Sequence, residues 1–118
     1  MNGSKNRSSR KDLLQSYRER RITGGIYALR NAKTGRMLVQ STTSIERTAN
    51  LFEFSRQTGS CVHPLLQEDW KAQGPGSFSL EILETLDKKD TQSEAEFAED
   101  IQELAAIWHE KLAAANLY

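Results

Sequence analysis

The spacing of apolar residues changes along the chain, and each change marks an element. Residues 1–9, "MNGSKNRSS", are polar and offer nothing to bury, so a disordered basic tail is expected there. From Arg10 the pattern turns helical: Leu13, Leu14 and Tyr17 predict a short helix to about Arg20, stopped before Gly24 and Gly25. "GIYALR" then reads as a strand, "NAKTG" as a turn and "RMLVQS" as the returning strand of a hairpin. Thr43 and Glu46 have capping-box spacing, and Ile45, Ala49 and Phe52, with Leu51 as a further candidate, give an inward face to a helix from about Ser44 to Gln57. Pro64 opens a shorter helix, anchored by Leu65, Leu66 and Trp70 and closed by Gly74-Pro75-Gly76. In "SFSLEILETL" the alternation of Phe78, Leu80 and Ile82 with polar residues is that of a half-buried strand. Phe97, Ile101, Leu104, Trp108 and Leu112 recur at three and four residues, predicting a long amphipathic helix from about Ser93 to Ala115.

The fold class expected from this order is α+β: a small, mainly antiparallel three-stranded sheet flanked by helices. A chain of 118 residues suits one domain, read here as 10–118 behind the 1–9 tail. No apolar run approaches the roughly 20 residues of a membrane span, and no apolar stretch follows the basic start as in a secretory signal. The expectation is a cytoplasmic protein without a membrane partner. The single Cys61 has no cysteine to pair with, which agrees with a reducing compartment.

Formal net charge is zero, but the charges are segregated. Residues 1–21 carry seven Lys or Arg against two acids, residues 22–86 six against six, and residues 87–118 three against eight. The basic segment, with Arg10, Lys11, Arg18, Arg20 and Arg21, can follow phosphates of DNA. It can equally pair with the acidic end of the same chain, of a second copy in a homo-oligomer, or of a protein partner.

"GGIYALRNAKTGRMLVQSTTSIERT", "HPLLQEDWKAQGPGSFSLEILE" and "AAIWHEKL" together resemble the GIY-YIG nuclease superfamily, from about Gly24 to Leu112. The "LLQEDW" helix before a "GSFSLEIL" strand is similar to small stand-alone bacterial members. The resemblance implies the α+β fold above and a phosphodiester-cleaving site. There, tyrosines from the first two strands stand near the nucleophilic water, a helix arginine grips phosphate, and a glutamate of the late helix holds one Mg²⁺ or Mn²⁺.

Carried over by residue, Gly25, Ile26 and Tyr27 match. Leu38-Val39-Gln40 stands where Tyr-Ile-Gly is expected, so a second phenol is missing. The helix arginine falls at Thr48, beside Arg47, and the metal glutamate at Ala105, two residues from Glu103. One helical step turns a side chain by about 100°, so neither neighbour takes the vacated direction unless the alignment slips. Two readings follow. The first is a catalytically impaired nuclease-family domain that binds nucleic acid or a partner. The alternative is an active divalent-metal-dependent DNA endonuclease with Tyr27 and Arg47 as catalytic residues and Glu103 as the shifted metal ligand. Tyr27 itself reads either as a reactive phenol or as the aromatic of a first strand.

Overall fold

The computed structural model describes residues 22–118. Its elements are β1 (Thr23–Asn31), β2 (Met37–Thr42), α1 (Ile45–Thr58), α2 (Gln67–Gln73), β3 (Phe78–Asp87) and α3 (Glu94–Lys111). Tight turns at Pro64–Leu66 and Pro75–Ser77 lead into α2 and β3. The helix expected over 10–20 and the 1–9 tail lie outside the described residues.

The sheet runs β2-β1-β3, antiparallel throughout, so the strand bearing Gly-Ile-Tyr is central. Strand alternation splits its side chains between two cores. Leu29 and Leu38 join Phe52, Leu66, Trp70 and Phe78 on the face covered by α1 and α2. Ile26, Ala28, Met37 and Val39 join Ala105 on the face covered by α3. Trp70 is the centre of the first core: its ring meets Phe52 edge-on at 6.4 Å and Phe78 at 5.2 Å, and its indole N–H donates to the Gly59 carbonyl at 3.0 Å.

The paired glycines have a steric cause. Ile26 pairs with Glu84 and Tyr27 with Ile82, leaving Leu83 as an extra residue in β3. The shift lies next to Gly25, where an added Cβ would stand 2.1 Å from the Glu84 carbonyl oxygen. On Gly24 it would stand 2.6 Å from the Thr42 carbonyl oxygen and 2.9 Å from the Ile101 side chain.

Several expectations are corrected. Ser44, not Thr43, caps α1, its hydroxyl accepting from the Arg47 N–H at 3.2 Å. The capping box belongs to Ser93 and Glu96 at the start of α3. Leu65 is exposed, because the turn at Pro64 brings only Leu66 inward. Ile82 is 43% exposed, on β3 at the edge of the sheet. α3 ends at Lys111, short of Ala115, and the chain returns to the outer edge of β2.

Candidate functional site

Tyr27 stands on the central strand between Gln40 of β2 and Ile82 of β3, on the α1 side of the sheet. Beside it opens a pocket of about 330 Å³. Its walls are Tyr27 and Leu29, then Thr48, Leu51, Phe52, Phe54 and Ser55 of α1, then residues 60–62 of the following loop. None of these side chains carries a formal charge at neutral pH. The Tyr27 hydroxyl makes no hydrogen bond among the described residues, and burial pushes its pKa up from 10.0. No base or cation among the described residues lines the pocket beside it, so Tyr27 is a neutral phenol with one donor and free acceptor capacity.

The positions singled out by sequence fall as follows. Leu38 lies two rungs along the same face, paired with Leu29 and buried in the Trp70 core. Thr48 does face the Tyr27 pocket, where its hydroxyl donates to Thr42 Oγ1 at 2.9 Å. Arg47 is turned away by its one-residue step and lines an adjoining pocket of about 420 Å³ with Ser44, Glu46, Asn50 and Leu51. It makes no ion pair among the described residues. Ala105 is buried on the other face of the sheet, against Ile26, Ala28, Met37 and Val39. Glu103 is exposed on α3, about 160° around the helix from the sheet-facing Ala105. The structure therefore brings Tyr27, Thr48 and, one pocket along, Arg47 together on the α1 side. It does not bring Glu103 to them. Arg10, Lys11, Arg18, Arg20 and Arg21 lie outside the described residues.

A divalent metal does not fit at Tyr27. The pocket offers hydroxyls, one thiol and no carboxylate, whereas Mg²⁺ or Mn²⁺ is anchored by at least one carboxylate. Among the described residues, no three His, Cys, Asp or Glu side chains gather elsewhere in a ligand set.

Sequence reasoning missed two features of this region. Leu51, offered by the sequence for the inward face of α1, and Phe54 are instead 57% and 59% exposed and form the outer rim of the pocket. The second is a latch at the chain's last residues. The Tyr118 hydroxyl donates to Asp69 at 2.6 Å and accepts from the fully buried Asn31 at 2.9 Å, while Arg36 lies over its ring at 4.1 Å. The Asn31 Oδ1 meanwhile accepts from the Lys33 N–H at 2.9 Å, so one side chain ties the hairpin turn to α2 through Tyr118. Nothing in the local spacing announces a contact between residues so far apart.

No protein-family model matches the sequence, and no curated protein matches it either. Two solved structures share the fold. Both are of the catalytic domain of I-TevI, one a substituted form described as an intron endonuclease, the other described as a homing endonuclease. Each is 22% identical to this chain, with TM-scores of 0.59 and 0.55. The first alignment covers 82% of this chain and 92% of that domain, the second 80% and 95%. The three-stranded antiparallel sheet with its helices is thus the fold of a GIY-YIG catalytic domain, as the sequence resemblance implied. No helix among the described residues is long and apolar enough to cross a membrane.

Proposed function

We propose that this chain is a nuclease-fold domain that binds nucleic acid without hydrolysing it. The observation that carries the reading is the uncharged lining of the Tyr27 pocket. Phosphodiester hydrolysis needs a proton acceptor for the attacking water and compensation for charge developing on the phosphorus oxygens. Where the resemblance expects a second phenol, a cation and a carboxylate, the chain has Leu38, Thr48 and Ala105, and burial favours the neutral phenol of Tyr27. Binding needs less. The seven basic residues of segment 1–21 supply sequence-blind affinity for phosphates, and the likeness to an endonuclease catalytic domain supports nucleic acid as the partner.

The test is incubation of the full chain with supercoiled plasmid and with labelled single-stranded and branched DNA, in Mg²⁺, in Mn²⁺ and in chelator. The expected result is no metal-dependent cutting and a gel shift that weakens with salt and with joint replacement of Arg18, Arg20 and Arg21 by alanine. Cutting that requires metal and disappears in Tyr27→Phe would overturn the reading and restore the endonuclease alternative.

A further inference from the structure

We propose that the Tyr27 pocket seats an unpaired base of a single-stranded nucleic acid, with its sugar-phosphate running past Arg47. The inference rests on the nucleic-acid-binding reading and adds which form is bound and where. Three observations carry it. The pocket, about 330 Å³, lies at the small end of the roughly 300–1,000 Å³ range of ligand sites and suits a flat ring. Its walls combine aromatic faces, Tyr27 and the half-exposed Phe54, with polar atoms that have bonding capacity to spare, chiefly the Tyr27 hydroxyl. It carries no charge, while the pocket that shares Leu51 as a wall holds Arg47, a cation without an ion pair among the described residues.

That distribution separates the ligands. A phosphate entering the Tyr27 pocket would lose water and meet no cation, which is costly. An apolar side chain from a protein partner would cover the Tyr27 hydroxyl without giving it a bond. A neutral base satisfies both conditions: its face stacks on the aromatic walls, its edge exchanges hydrogen bonds with the hydroxyl, and its phosphate stays outside near Arg47, where Glu46 moderates the field. Bases in a duplex are stacked and paired, so they cannot enter without being extruded.

The experiment uses the full chain and fluorescence anisotropy with a labelled oligothymidylate, an oligouridylate and a duplex of equal length, at one salt concentration. Phe54 is exposed, so Phe54→Ala leaves the fold intact, and an unchanged unfolding midpoint checks this. Expected is tighter binding to either single strand than to duplex, a loss on the order of 5- to 100-fold in single-strand affinity for Phe54→Ala, and little change for duplex. The one cysteine of the chain, Cys61, lines the same pocket and gives a second readout: its alkylation should slow when single strand is bound and not when duplex is bound. Equal affinities for single strand and duplex together with a silent Phe54→Ala would overturn the inference while leaving the binding reading in place. So would a Cys61 alkylation rate that single strand does not change. Absence of binding to every probe by the unaltered chain would defeat the binding reading itself, and this inference with it.

Discussion

At the scale of single residues, the sharpest constraints come from atoms with no room or no other partner. Gly25 faces the bulged backbone of β3, and an alanine there would place its Cβ 2.1 Å from the Glu84 carbonyl oxygen. Backbone cannot rotate aside as a side chain can, so Gly25→Ala should cost about 2 kcal/mol or more, read as a lowered urea midpoint. Gly35 has open space around it but a φ of 75°, so alanine there should cost only about 1 kcal/mol. Tyr118→Phe deletes the hydroxyl shared by Asp69 and the buried Asn31, for an expected loss of about 1–3 kcal/mol. Burial leads the causes that raise the pKa of both Tyr27 and Tyr118 above 10.0. A raised phenol value means the folded state prefers the neutral form. The stability it contributes is whole below the unfolded value near 10 and is lost as pH climbs through the folded values. The unfolding midpoint should therefore fall in alkali, and less steeply in Tyr27→Phe.

At the scale of elements, periodicity carried most of the information, because a strand or helix that buries one face must repeat apolar residues at its own period. The hairpin, β3 and the three helices of the described region were all legible in this way. Boundaries were less so. Ser93-x-x-Glu96 was as readable a cap as Thr43-x-x-Glu46, and only the structure separates them, since both hydroxyl-carboxylate pairs have the same spacing. In α3 the Ser93 hydroxyl accepts from the Glu96 N–H at 3.1 Å and the Glu96 carboxylate accepts from the Ser93 N–H at 2.9 Å. Those hydrogen bonds hold the Glu96 carboxyl below its usual value, so their contribution is present above about pH 4.5 and is lost as pH falls. Ser93→Ala should lower stability by roughly 0.5–2 kcal/mol in chemical denaturation, whereas Thr43→Ala should be nearly silent. Ile82 shows a limit of the same logic. Alternation correctly assigns it to the face of Phe78 and Leu80, but exposure depends on where β3 lies in the sheet, and no local pattern encodes its place at the edge.

At the scale of the whole molecule, the site was legible position by position and not as an assembly. Counting from the Gly-Ile-Tyr and from Trp108 reached Thr48 and Ala105, yet which side of the sheet each helix covers is decided by the connections between elements. Here α1 lies over Tyr27 and α3 lies under it, so Thr48 and Ala105 are separated by the sheet. A consequence is that reinstating the missing residue types does not rebuild one site. Thr48→Arg opens onto the Tyr27 pocket and should be tolerated, with tighter nucleic-acid binding that weakens with salt. Leu38→Tyr forces a larger, hydroxyl-bearing ring among Leu29, Phe52 and Trp70, an overpacking cost of about 1–3 kcal/mol. Ala105→Glu drives a carboxylate into a cluster whose described members, Ile26, Ala28, Met37 and Val39 among them, are apolar, and should cost several kcal/mol or force the helix to shift. The triple variant is thus expected to melt well below the unaltered chain and to leave supercoiled plasmid uncut in Mg²⁺ or Mn²⁺. Metal-dependent nicking by a folded triple variant would mean that the new glutamate reaches the Tyr27 side after all. That result would contradict the division of these residues between two faces on which the non-hydrolytic reading depends.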